Sequence, residues 1–139
     1  MSSVLKISEA ASLALHSMAL LAEDPEQLIS TREIASRLHI SEAHLSKVLQ
    51  RLTRAGLAKS VRGPKGGFMV NKPTDQITLL DVYESIEGPI EPTDCLFSTP
   101  VCDKVGCILG GILGKVDKQI RAYLLETKLS DLANRKRRA

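Results

Sequence analysis

Between residues 8 and 23 (SEAASLALHSMALLAE) apolar side chains fall on nearly every side of a helical wheel, while Glu9, Ser12 and His16 form one polar row through spacings of three and four. Ser8 is placed to cap this helix and Pro25 to end it. Ser30 to Glu33 has the spacing of a capping box, in which each side chain satisfies an orphan amide of the other, and predicts a short helix to about Leu38. After a break at His39 and Ile40, Ser41 caps a third helix through about Ala55, closed by Gly56. Ile34, Leu38, Ile40, Leu45, Val48, Leu49 and Leu52 are spaced to face inward across that pair, leaving His44, Ser46, Lys47, Gln50, Arg51 and Arg54 mostly outside.

The period then changes. Residues 57–61 (LAKSV) and 67–71 (GFMVN) read as short strands joined by Arg62-Gly63-Pro64-Lys65-Gly66, a hairpin with a basic, glycine-rich tip. Thr78 to Asp81 caps a further short helix that ends at Gly88 and Pro89, and residues 89–107 form an irregular loop holding every cysteine. From Leu109 onward Ile112, Val116, Ile120 and Tyr123 make an apolar seam, widened by Leu113 and Leu124. This predicts one helix over 108–134 used for self-association.

At 139 residues, with 43% hydrophobic and 25% charged residues, the chain suits one globular unit and excludes disordered, collagen-like or membrane-spanning classes. The start MSSVLKISEAAS lacks the features of a signal peptide, so a cytoplasmic protein is expected. Charge is unevenly spread. Residues 41–72 carry seven Lys or Arg and one Glu, residues 76–134 carry nine acids and five bases, and the tail 135–138 is RKRR. A concentrated positive segment suits a polyanion partner.

Short helix, tight turn, second helix with a polar basic face, then a basic hairpin is the order of a winged helix-turn-helix. Lys47, Gln50 and Arg51, with His44 and Ser46 beside them, could meet base edges or phosphates in a major groove, while Arg62 and Lys65 on a thin wing could approach the backbone or minor groove. Lys59 in the first wing strand and Gly66 at the tip complete the candidate set. The alternative use of such a fold is protein contact, as an adaptor.

Cys95, Cys102 and Cys107 are the chain's only cysteines, and their gaps of six and four residues lack the close pair typical of zinc. An iron–sulfur cluster in a loose loop and a cluster-free redox thiol switch are the competing readings. His16, on the polar row of the first helix, is the candidate fourth ligand, with Ser12, Glu9, Asp94 and Asp103 as lesser ones. No phosphate loop, nucleophile elbow or paired catalytic carboxylates point to an enzyme or a small-molecule substrate.

Taken together, LALHSMALLA, STREIASRLHISEAHLSKVLQRLTRAGLAKSVRGPKGGFMVNKP, ITLLDVYESIEG and the three-cysteine loop resemble the IscR/NsrR family of bacterial winged-helix regulators over almost the whole chain. The resemblance implies a homodimeric transcriptional regulator on a palindromic double-stranded operator, often with a 2Fe–2S or 4Fe–4S cluster. By position, Cys95, Cys102 and Cys107 match the cluster cysteines, Ala43, Ser46 and Lys47 the base-facing positions, and Arg62 and Lys65 the wing. Gly110 stands where one branch has a histidine ligand, and Ser12 where others have a carboxylate; His16 matches a histidine ligand of at least one relative.

The expectation is therefore a mainly α fold: a winged helix-turn-helix domain over 1–88 with a small β-hairpin wing, a cysteine sensor loop over 89–107, a long dimerisation helix over 108–134 and a disordered basic tail over 135–139. Its expected function is repression controlled by a cluster.

Overall fold

The computed structural model describes residues 7–91, 93–97, 99–103 and 106–138. Portions of the expected units 1–88, 89–107 and 135–139 thus lie outside the described residues. In chain order the elements are α1 (Glu9–Glu23), α2 (Thr31–Leu38), α3 (Glu42–Arg54), β1 (Ala58–Val61), β2 (Gly67–Val70), a 3-10 turn (Thr74–Gln76), α4 (Leu79–Glu87), α5 (Ile112–Glu126) and α6 (Leu129–Arg138). The fold is mainly helical with one small hairpin, as the periodicities predict.

Each early helix starts where its cap residue dictates. The hydroxyls of Ser8, Ser30 and Ser41 accept from the amides of Ala11, Glu33 and His44 at 3.1, 3.1 and 3.3 Å, and Thr78 with Asp81 forms a reciprocal capping box. The turn between α2 and α3 is made by His39, a non-glycine residue in the left-handed region at φ 55°, whose amide reaches back to the Ala35 and Ser36 carbonyls. α1 is the hub. Its all-round apolar character is explained by its neighbours, because α2, α3, α4, α6 and β2 all pack against it and bury Ala11, Leu13, Ala14, Met18, Leu21 and Ala22. Ile34 from α2, Leu45, Leu49 and Leu52 from α3 and Val82 from α4 fill the same core.

β1 and β2 pair antiparallel with Ala58 opposite Val70 and Val61 opposite Gly67. The hairpin is fastened to the body by a bridge between Ile29 and Phe68, with amide-to-carbonyl distances of 3.0 and 2.9 Å in the two directions. This contact needs glycine beside it: a Cβ on Gly67 would stand 2.5 Å from the Ile29 carbonyl oxygen.

The expected single helix over 108–134 is two. Residues 108–111 are turns, α5 begins at Ile112, and the chain breaks at Thr127 and Lys128 before α6. The break has a packing cause. Thr127 accepts from the Leu79 amide at 2.9 Å, the Leu129 amide donates to Ile77 at 2.9 Å, and Leu129 is fully buried; one straight helix would carry Leu129 away from that pocket. The Asp131 carboxylate then accepts the Lys128 amide at 2.9 Å and restarts the helix. The basic tail is likewise not an irregular appendage: α6 continues to Arg138, and Lys136 pairs with Glu23 of α1 at 2.5 Å.

Candidate nucleic-acid interface and cysteine pocket

The start of α2, the second half of α3 and the wing enclose an open cleft of about 610 Å³. Thr31, Gln50, Arg54 and Arg62 line it with Gly66 and Gly67, and among the described residues none that lines it is acidic. The position is set locally. Ile29 bridges to Phe68 just before Ser30 caps α2, so the wing and the start of α2 are held by adjacent residues. Gly66 keeps the tip thin, since a Cβ there would lie 2.1 Å from the Val61 carbonyl oxygen. Two arginines in a groove with no acidic lining residue among the described ones suit phosphodiester anions.

Helical spacing sorts the candidate residues of α3 into three stripes. Ala43, Lys47, Gln50 and Arg54 follow steps of four, three and four and share the outer, exposed face. Ser46 is half-buried on the flank shared with Thr53, which lines the cleft. His44 and Arg51, seven apart, lie on the opposite flank, Arg51 exposed and His44 half-buried. His44 Nδ1 is 3.9 Å from Glu9 Oε1 of α1, an ion pair only when the imidazole is protonated. Arg51 Nη2 donates to the Ile86 carbonyl at 2.5 Å. Both have a partner beside that flank, Glu9 of α1 for His44 and the Ile86 carbonyl of α4 for Arg51. On the wing, Lys59, Arg62 and Lys65 are exposed. The sequence reading left Arg54 out of the candidate set, although its step of seven from Lys47 placed it on the outer face.

The three cysteines are free; Cys95 and Cys107 are half-buried and Cys102 is exposed. They open onto one cavity of about 150 Å³, together with Asp94, Pro100 and Gly111. Short polar ties shape the loop. The Thr93 amide donates to Asp117 of α5 at 3.2 Å, Thr93 Oγ1 donates to the Cys95 carbonyl at 2.9 Å, and the Phe97 amide donates to Cys95 Sγ at 3.4 Å. Three soft sulfur donors on one cavity wall fit an iron–sulfur group by donor chemistry. Among the described residues, however, no three His, Cys, Asp or Glu side chains are already gathered as a metal-binding set. His16 does not line this cavity. Its Nδ1 lies 2.7 Å from the Ser12 carbonyl of its own helix, and if Nδ1 carries the proton the lone pair is left on Nε2.

α5 exposes the seam it was expected to carry. Ile112, Val116 and Tyr123 are about half exposed, while Leu124 is buried against the body. Between α1, α4 and α5 runs a mostly apolar groove of about 700 Å³ lined by Ile7, Leu15, Leu79, Tyr83, Ile120 and Leu124 among others. Burial, with the Glu87 charge adding to it, pushes the Tyr83 phenol up. Among the described residues no helix is long and apolar enough to cross a membrane.

Comparison with known proteins gives a consistent answer. A family model described as Rrf2, iron-dependent transcriptional regulator, matches residues 7–135. The HTH-type transcriptional regulator CymR of Bacillus subtilis is 37% identical over 105 residues, covering 76% of this chain and 72% of that protein. The solved structure of CymR, titled the global cysteine regulator of B. subtilis, superposes with a TM-score of 0.79 at 32% identity, covering 94% of this chain and 98% of that one. The T. potens IscR structure superposes at 0.75 with 28% identity, covering 96% and 89%.

Proposed function

Because the chain belongs to the Rrf2 family of DNA-binding transcriptional regulators, we propose that it acts as a homodimeric repressor on a palindromic operator, with the cysteine loop as its sensor. The observation that carries this reading is the acid-free cleft between α3 and the wing, with Gln50, Arg54 and Arg62 on its walls. Ala43, Lys47 and Gln50 read bases from the outer side of α3, with Ser46 on the flank beside them; Arg54, Lys59, Arg62 and Lys65 hold phosphates, and Gly66 lets the wing backbone come close. The exposed seam of α5 and the apolar groove beside it support pairing of two copies, which would present two reading helices one helical turn, roughly 34 Å, apart. Such a protein works where the DNA is, in the cytoplasm.

For the sensor, Cys95, Cys102 and Cys107 would hold an iron–sulfur cluster through their thiolates, the group supplying a redox- and ligand-sensitive iron centre there. His16 is the proposed fourth ligand, although it does not line the cavity that the three cysteines share. A cluster-free thiol switch is the second reading. It is favoured by the exposed Cys102, by the lack of a ready-gathered metal set among the described residues, and by the likeness to CymR.

Anisotropy titrations with a duplex selected from a random pool test the DNA reading: affinity should fall log-linearly between roughly 50 and 200 mM salt. Binding indifferent to salt, or absent, overturns it in favour of an adaptor. Anaerobic purification with iron and sulfide analysis separates the two sensors. Stoichiometric iron and sulfide with visible absorbance is expected of the cluster; a colourless protein whose mass changes on oxidation selects the thiol switch.

A further inference from the structure

Arg51 is one of the basic residues of the reading helix, yet its guanidinium reaches back to α4 and donates to the Ile86 carbonyl at 2.5 Å. That oxygen lies in the last turn of α4, where the Ile86 carbonyl has no amide of its own helix to accept from. The same helix end is electrically awkward. Its last turn carries Glu84 and Glu87 and no base, so like charge is stacked on the negative end of the helix dipole. A cation delivered from α3 relieves this.

Two other parts of the chain are tied to the same place. The Ser8 hydroxyl, which caps α1, hydrogen-bonds Glu87, and the Ile90 amide donates to Glu84 Oε2 at 3.1 Å. Ile90 lies in the chain between the end of α4 and Cys95, the first thiol of the loop. On the same flank of α3 as Arg51, His44 faces Glu9, the residue that follows Ser8. The end of α4 is therefore where the reading helix, the start of α1 and the root of the cysteine loop are joined by polar contacts rather than by apolar packing alone.

We infer that Arg51 is a positioning residue rather than a DNA contact: it fixes the rotation of the reading helix against the end of α4 and passes the state of the cysteine loop to that helix. This rests on the DNA-regulator reading. A displacement of the loop pulls on Ile90 and Glu84, shifts the Ile86 carbonyl, and changes which way Lys47 and Gln50 point. Their contacts with base edges need geometry good to a fraction of an ångström, whereas contacts with phosphates tolerate more.

Full-length wild type, Arg51→Ala, Arg51→Lys and Arg54→Ala are titrated with the selected duplex and with a scrambled one, before and after the thiols are alkylated with iodoacetamide. Arg54→Ala should lower the slope of log affinity against log salt by about 0.9, the loss of one phosphate contact. Arg51→Ala should leave that slope unchanged, reduce the selected-to-scrambled affinity ratio about tenfold, and shrink the effect of alkylation to within twofold. Arg51→Lys, which keeps a cationic donor, should recover most of the ratio. A slope in Arg51→Ala that falls by about 0.9 makes Arg51 a phosphate contact and overturns the inference, as does an alkylation effect that persists in full. Alkylation without effect on the wild type overturns the transmission. Wild type that binds no duplex fails at the earlier step, the DNA reading itself, and takes this inference with it. Should Arg51→Ala melt below the assay temperature, Arg51→Gln, a neutral hydrogen-bond donor, takes its place: an unchanged salt slope supports the inference and a slope lower by about 0.9 overturns it.

Discussion

The two halves of this chain are built on opposite terms. In the winged head, Met18, Leu21, Ile34, Leu45 and Leu49 are sealed from water completely, and the hairpin is bridged to the body. In the stretch from the cysteine loop into α5, Ile108 is 90% exposed, Val101 77%, Leu96 65% and Phe97 61%, and the chain is held by a few single hydrogen bonds such as Thr93 to Asp117. A head of this kind keeps its core packing without help, and what is left adjustable in it is the rotation of α3 against the end of α4. The second half keeps apolar surface in water that only another surface can cover, so its arrangement depends on what it meets. Rigid reading elements joined to a conditional segment are what a regulated DNA-binding protein needs, since a ligand shifts an equilibrium only where two arrangements are close in free energy.

Matched deletions of core and loop side chains make the largest test of that contrast. Leu49→Ala removes a fully buried side chain among Leu45, Leu52 and their neighbours and should cost roughly 3–5 kcal/mol, because the transfer loss and the cavity add. Ile108→Ala takes a similar volume from a residue 90% exposed and should change stability by less than about 0.5 kcal/mol. Urea unfolding followed by circular dichroism reads both. A loss at Ile108 comparable to that at Leu49 means the loop is packed in solution, and the contrast is gone.

A glycine pair probes the same difference through the backbone. A Cβ on Gly67 meets the Ile29 carbonyl oxygen at 2.5 Å, a backbone atom that cannot swing away, so Gly67→Ala should cost about 1–3 kcal/mol and displace the wing. Duplex affinity should fall at least tenfold with it. A Cβ on Gly106 meets nothing nearer than Asp103 Oδ1 at 3.5 Å, an ordinary contact, so Gly106→Ala should be neutral within about 0.5 kcal/mol. Calorimetry and anisotropy on the two variants decide it; a neutral Gly67→Ala would mean that the wing is not anchored as described.

How much of this was legible beforehand follows the same division. The starts of α1 to α4 and the two wing strands are written locally, in Ser8, Ser30, Ser41, Thr78 and in the basic glycine-rich tip, so periodicity and caps placed them within a residue or two. The break after Glu126 was not legible, because its cause is the distant backbone of Ile77 and Leu79, and a helix-compatible run continues through Lys128 and Leu129. For the site, Lys47, Gln50 and Arg62 were readable from spacing, and Arg54 was readable but overlooked. The contacts of His44 and Arg51 were not, since both obey the outward pattern and their acceptors are supplied by α1 and α4 from elsewhere in the chain. The three cysteines announced a site, but spacing alone could not choose between iron and thiol chemistry.

The smallest expected effect lies where the tail meets the head. Glu23 of α1 accepts from Lys136 of α6 at 2.5 Å and from Arg37 of α2 at 3.3 Å, and the Lys136 ammonium above all holds its carboxyl below the ordinary 4.5. A carboxylate whose folded-state pKa is depressed contributes stability at pH values above its unfolded pKa, and that contribution is lost as pH falls through the lower folded value. The pair lies at the surface, with Lys136 exposed and Glu23 half-buried, so its worth is that of a surface ion pair, about 0–1 kcal/mol, or a few degrees of melting temperature at most. Glu23→Gln should therefore melt slightly lower than wild type at pH 7 in low salt. The gap should narrow in high salt and close as pH drops below about 4.5. If the gap instead persists undiminished in high salt, Glu23 contributes through packing rather than charge, and α6 is joined to the head by more than this ion pair.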